Sequence, residues 1–239
     1  FGNGTWATKK GSTLAYNDED GNYKPLPFTY TGAGKGTRVN KEGLIEVVES
    51  DRPRIDYTDS EDGVLLLEPS RSNLLLQSNQ FDTTWVASNG GVVTSGQSGV
   101  GGSTDAWLLN DSDIGNTGRV YQNVTSSGVN TFSVYMKAGT LNWVRVQLGT
   151  TTGNNSIDVD LKNGVTGYQQ GSNIVETSIS LISSEWYRIS LTVNASITQS
   201  TLLPALANNN LSGSGTIYIQ NAQLEVGSLS SYIPTQGSA

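Results

Sequence analysis

The sequence predicts an all-β fold, a two-sheet antiparallel β-sandwich. Three observations carry this. Helical periodicity is almost absent. Short runs of alternating apolar and polar residues recur from Thr37 to the end of the chain. Gly, Asn, Ser and Asp punctuate those runs at intervals typical of a sandwich or barrel. The best helical candidate, Leu202 to Leu211, holds Pro204 and the run Asn208-Asn209-Asn210 and is read as strand and loop.

Taken in order, residues 1–36 form an arm. Asp18-Glu19-Asp20-Gly21-Asn22 reads as a turn, and Gly32-Ala33-Gly34-Lys35-Gly36 as a flexible loop. Trp6, Tyr16, Tyr23, Phe28 and Tyr30 are too many aromatics for a disordered segment, so the arm is expected to pack on something. Two hairpins follow. Thr37–Asn40 and Leu44–Val48 flank Lys41-Glu42-Gly43, and Arg54–Tyr57 and Val64–Leu67 flank a turn over Asp59–Gly63. The expected division is an arm-and-hairpin extension over 1–72 and a jelly-roll domain over 73–239.

The later strands have clear faces. Phe132, Val134 and Met136 share one face, with Ser133, Tyr135 and Lys137 on the other. Val144, Val146 and Leu148 point in, leaving Trp143, Arg145 and Gln147 out. Ile157, Val159 and Leu161 form an inward set, as do Tyr187, Ile189, Leu191 and Val193. Ile217 and Ile219 point in and Tyr218 and Gln220 out. Tyr121 and Asn123 alternate with Val120, Gln122 and Val124. If the valines are core, Gln122 points inward unless a bulge intervenes. Trp85, Trp107 and Trp186 read as core or sandwich-edge packing.

Composition narrows the chemistry. The chain has 239 residues, no Cys and no His, which removes disulfides, thiol catalysis, Ser-His-Asp triads and imidazole metal ligands. Its net charge of −7 repels phosphate backbones, so nucleic acid is not an expected partner. No run approaches about 18 consecutive apolar residues, so membrane insertion is not expected. Residues 1–20 show no signal-peptide pattern, and the opening at Phe1 is what an excised fragment or a mature form would show.

Large aromatics on wet faces are the informative feature. Trp143 beside Arg145 and Gln147, with Tyr135, Tyr218, Gln220 and Tyr121, has the composition a saccharide site needs: rings to stack on sugars, amides and guanidinium to meet hydroxyls or an acidic group. The other reading of the same side chains is packing under the arm or against a neighbouring subunit. Asp158 and Asp160, about 7 Å apart along one strand face, have a glycosidase-compatible spacing. Alternating acids on a solvated face give the same spacing, and a lyase built on Tyr135, Lys137 and Arg145 would lack the usual His. The chain is therefore read as no enzyme. Arg52, Arg54 and Arg71 are read as partners of local carboxylates, and Glu68 and Asn73 as junction residues.

Several segments resemble a known family. Gly36–Asn40, Gly43–Glu46 and Arg52–Tyr57 look like the entry segment of bacteriophage appendage proteins. Leu66–Leu75 with Gln77–Phe81 and Trp85 resembles the block that follows there. Trp186-Tyr187-Arg188, Gln223–Gly227 and Ser231–Thr235 resemble its last block. Tyr121–Val124 and Thr131–Gly139 are similar to the jelly-roll carbohydrate-binding modules appended to glycan-degrading enzymes. The resemblance implies a concanavalin-like jelly roll, at a virion surface or outside the cell, binding a poly- or oligosaccharide on its concave sheet without catalysis. The alternative is a virion structural or adhesion domain of a tail fibre, with a homotrimer as its assembly and the outward aromatics as subunit contacts. Modules of this kind often hold a structural calcium. Asp82 and Glu225 are the carboxylates that would contribute here, whereas Gln80, Asn221 and Gln223 stand where charged ligands are common.

Overall fold

The structure is a computed structural model describing residues 6–8, 13–17, 20, 22–32, 34–113, 115–183 and 185–237. The expected turn residues Asp18, Glu19 and Gly21, and Ala33 of the glycine loop, lie outside the described residues, as do the side chains of Tyr16 and Phe28. The chain forms two compact units, 1–70 with 230–233, and 71–229 with 234–239. The first therefore takes in a short segment near the far end of the chain that a boundary at 72/73 leaves out.

In the first unit β1 (Trp6–Thr8), β2 (Thr13–Asn17) and β3 (Tyr23–Thr29) make an antiparallel sheet. Two hairpins follow, β4 (Gly36–Val39) with β5 (Ile45–Val48), and β6 (Ile55–Asp56) with β7 (Val64–Leu65). Asn40 closes the first by accepting the Glu42 and Leu44 amides on its Oδ1, while Gly43 takes a φ of 77° that suits a residue without a Cβ. The Asp56 carboxylate accepts Val39 N and ties the hairpins together. Trp6 of the arm reaches the second hairpin, where its Nε1 donates to Asp62 O in the β6–β7 turn. Residues 230–233 complete the unit. The Ser231 amide and hydroxyl donate to Glu68, Arg54 pairs with Glu68 at 2.7 Å, and Thr37 Oγ1 donates to Tyr232 O.

The second unit is the sandwich. One six-stranded sheet runs in the order β16 (Ile174–Ser183), β17 (Trp186–Asn194), β12 (Val129–Ala138), β19 (Gly215–Val226), β10 (Ala106–Asp111), β9 (Gly91–Gln97). The other runs β15 (Val165–Gln170), β14 (Gly153–Asp160), β13 (Trp143–Thr150), β18 (Ile197–Ala205), β11 (Arg119–Ser126), β8 (Val86–Ser88). All pairings are antiparallel, and no helix occurs among the described residues. We call them the β17 sheet and the β13 sheet. The chain crosses repeatedly between them, so neighbours in a sheet are distant in sequence.

The core lies between the sheets and consists of the inward sets read from alternation. Phe132, Val134, Met136, Val144, Val146, Leu148, Ile157, Val159, Ile189, Leu191, Val193, Ile217 and Ile219 are all fully buried. Tyr187 packs at its margin. Trp85 and Trp107 are buried around Phe81, with ring centroids at 4.9 and 6.2 Å, and Trp107 Nε1 donates to Asn79 O. Gln122 is buried, and the 76–84 segment satisfies its amide. Oε1 accepts Leu76 N, and Nε2 donates to Leu76 O and Thr84 Oγ1. The bulge in β11 comes after it, between Asn123 and Ser126. Asn73 does similar work beside β19, accepting the Leu75 and Leu224 amides and donating to Ala222 O. Buried amides with every group bonded are tolerated because no desolvated donor is left over.

Candidate functional site

The outer face of the β13 sheet is built in cross-strand rows. Reading the registers across the sheet gives Val86, Tyr121, Thr201, Gln147, Ser156 and Gln170 in one row. The adjoining row has Ser88 opposite Arg119 at one end and Leu203, Arg145 and Asp158 facing one another further along. Trp143 stands at the end of β13 between Ala205 and Asp160. All these side chains share one face because each alternates with a core residue: Val120, Leu202, Val146, Ile157.

The face has a low floor and raised rims. Thr201, Ser156, Leu203, Arg145 and Gln147 are buried. Tyr121 and Trp143 are half-buried, and Tyr168 of the edge strand is exposed. From β11 to β15 the face spans four strand spacings, roughly 19 Å, room for a short oligosaccharide.

The charged pair on the floor is self-contained. Arg145 meets Asp158 through two bonds, Nε to Oδ1 at 2.6 Å and Nη2 to Oδ2 at 3.0 Å. Asp158 also accepts Asn209 N at 2.6 Å, and Arg145 Nη2 donates to Asn209 Oδ1. The Arg145 guanidinium carbon lies 5.5 Å from the Tyr168 ring centroid. Asp160 accepts the Lys162 and Asn163 amides and Asn163 Nδ2, closing the turn into β15. The two carboxylates that suggested glycosidase spacing are both held in these structural bonds.

The uncharged groups on the floor are differently placed. Among the described residues, the Gln147 amide has no hydrogen-bond partner, and the buried Ser156 Oγ beside it has none either. The Tyr121 hydroxyl and the Trp143 indole N–H are likewise without a protein partner among the described residues. A chain of bonds runs along the adjoining edge, Thr201 Oγ1 to Gln199 Oε1 and Gln199 Nε2 to Asn123 Oδ1.

The sequence-predicted site residues divide between the two sheets. Trp143, Arg145, Gln147 and Tyr121 come together on the β13 sheet. Tyr135, Tyr218 and Gln220 lie on the outer face of the β17 sheet, across the core from them. Gln220 is buried and spent: Oε1 accepts Val100 N and Nε2 donates to Asp105 Oδ1, which pins the loop before β10 over the sheet. Tyr135 is buried too, with the Arg188 guanidinium 5.3 Å from its ring centroid. Tyr218 is half-buried with Lys137 Nζ 5.0 Å from its ring centroid. Arg145 is a floor residue rather than a free donor. The trio Tyr135, Lys137 and Arg145 is never assembled, because its members belong to different sheets. Tyr168 was missed. It sits in an edge strand without clear alternation, and the only signal was a Tyr with Gln169 and Gln170 after it.

Asp82 and Glu225 do not fit a shared calcium. Asp82 is exposed in the 81–84 turn and accepts Thr83 Oγ1. Glu225 is fully buried on the β17 sheet, accepts Gln223 Nε2 at 2.7 Å and has Arg71 Nε at 3.9 Å. An arginine already answers the charge a cation would need. Among the described residues, no three acidic side chains are grouped so that they could hold a metal ion.

No protein-family model matches the chain, and no curated protein matches it. Solved structures do. One is the enzymatically active domain of bacteriophage CBA120 tailspike protein 4, at 16% identity and TM-score 0.39, over 64% of this chain and 21% of that one. Another is the carbohydrate-binding module TmCBM61 in complex with β-1,4-galactotriose, at 13% and 0.38, over 64% of this chain and 97% of that one. A third comes from work on the promiscuous specificity of carbohydrate-binding modules of the β-sandwich superfamily, at 10% and 0.38, over 92% and 96%. This chain thus spans about a fifth of the tailspike chain's length. At these TM-scores the likenesses carry no argument about what this chain binds.

Proposed function

We propose that the sandwich is a non-catalytic saccharide-binding module that takes a poly- or oligosaccharide across the outer face of the β13 sheet. Such a ligand would place it outside the cell or on a virion surface. One observation carries the reading. The Gln147 amide, with no side-chain hydrogen bond among the described residues, stands in the cross-strand row of Tyr121, on the floor between that ring and Tyr168 of the edge strand. Rings offer a flat apolar surface to a sugar's C–H face, and an unspent amide selects among its hydroxyls. Asp158 and Asp160 are occupied in the fold, which favours binding without catalysis.

The test is retardation in gels containing single polysaccharides, followed by titration calorimetry on the best ligand. Gln147→Ala and Tyr168→Ala should each weaken binding about tenfold, the loss of one well-made hydrogen bond or stack, while the unfolding midpoint stays put. Trp143→Ala is a poorer probe because its ring also packs against Gly167. Wild-type affinity in both variants would move the site off this face. Reducing ends released from the panel would make the chain an enzyme.

A further inference from the structure

We infer that the saccharide is acidic, and that Arg119 reads a uronic-acid carboxylate at the Tyr121 end of the face. This rests on the binding reading above and adds the ligand's chemical class. The two arginines of this face are in opposite situations. Arg145 is answered in full by Asp158. Arg119 has no carboxylate partner among the described residues. Its Nε donates to Ser88 Oγ at 3.1 Å, and its guanidinium carbon lies 5.7 Å from the Tyr121 ring centroid.

Those two contacts hold the fork in place and leave its terminal Nη groups for an acceptor from outside. Stacking on Tyr121 and the bond to Ser88 also reduce the rotamer freedom that a lone surface arginine would lose on binding. A sugar ring lying at the Tyr121 end would bring a substituent on its edge within reach of Arg119. A planar carboxylate matches the planar fork with two parallel bonds, which a hydroxyl does not. On this face Asp158 is paired and Asp160 stands at the opposite corner, beside Trp143, while Asp111, next to Arg119 in the fold, is buried and spent on the Gly118 and Asp113 amides. The positive and negative ends of the face would set the direction in which an acidic chain lies.

The experiment compares polyuronates with the same polymers after their carboxyl groups are reduced to alcohols. Wild type should bind at least one polyuronate about tenfold more tightly than its reduced form. Arg119→Gln should bring that ratio close to one, and Arg119→Lys, which keeps the charge and loses the fork, should fall between them. Equal wild-type affinity for the acidic and reduced polymers overturns the inference. A preference that survives in Arg119→Gln does so too. The reduced-polymer comparison needs no variant and stands even if the substitutions impair folding. Binding to neutral polymers only, lost in Gln147→Ala, sinks the acidic ligand and keeps the binding face. Retardation by no polymer of either kind sinks both.

Discussion

Arg145 and Asp158 face one another on β13 and β14, the carboxylate fully withdrawn from water and the guanidinium nearly so. A buried pair of this sort adds little to stability against an apolar replacement, but losing one member strands the other charge. Arg145→Ala should therefore cost about 3–5 kcal/mol in urea unfolding. The double replacement Arg145→Met with Asp158→Leu should recover most of that loss. If the single variant unfolds like wild type, the pair is solvated in solution. Type and spacing suggested Arg145 as a donor to ligand; the structure makes it a fixed floor. Nothing in the sequence distinguished it from Arg119, since both are arginines two residues from an aromatic or an amide on an outward face. What separates them is a carboxylate supplied by the neighbouring strand, which single-strand alternation does not report.

At the scale of the element, the strands and their inward faces were legible because the side-chain period of two is local. Phe132-Val134-Met136 and Val144-Val146-Leu148 are core as their patterns required. Which sheet a strand joins is not local. β12 and β13 carry the same alternation, yet their outward faces lie on opposite sides of the molecule, and one predicted ligand set became two. The turn after β18 was legible only as a break. Its Leu206–Asn210 closure places Asn208 over β15, where Asn208 Oδ1 accepts Tyr168 N. A Cβ at Gly167 would collide with Asn208 and lie 2.7 Å from the Trp143 ring. Gly167→Ala should accordingly displace Trp143 and blue- or red-shift its fluorescence while the sandwich stays folded. An unchanged spectrum would mean that this loop stands off the sheet. Pro204 belongs to the same corner. β11 pairs with β18 only as far as Leu202, so a residue without an amide proton is acceptable two positions on.

The molecule as a whole is two units with different sources of stability. The sandwich rests on a continuous apolar core. The first unit relies more on polar closures, and Glu68 is their centre. Burial pushes the Glu68 carboxyl up, but the Ser231 hydroxyl and amide and the Arg54 guanidinium outweigh it and hold it below its ordinary 4.5. A depressed carboxyl contributes stability above its unfolded value and loses it as pH falls through the folded one. Protection against amide exchange over 36–68, measured relative to the intrinsic rate at each pH, should thus fall below pH 4.5 before the sandwich responds, and Glu68→Gln should lower it at neutral pH and flatten the acid dependence. Exchange in the two units that rises together on acidification would refute this. The arm and hairpins stand out in the sequence by their turns, whereas the capture of Ser231 by Glu68, 163 positions away, leaves no local mark. That capture has a consequence for synthesis. A chain leaving the ribosome presents residues 1–70 early, but the segment that completes their unit arrives only after β19, the last strand of the sandwich, has been made. The first unit to emerge must wait through the synthesis of every sandwich strand, with Arg54 the partner Glu68 has until Ser231 arrives.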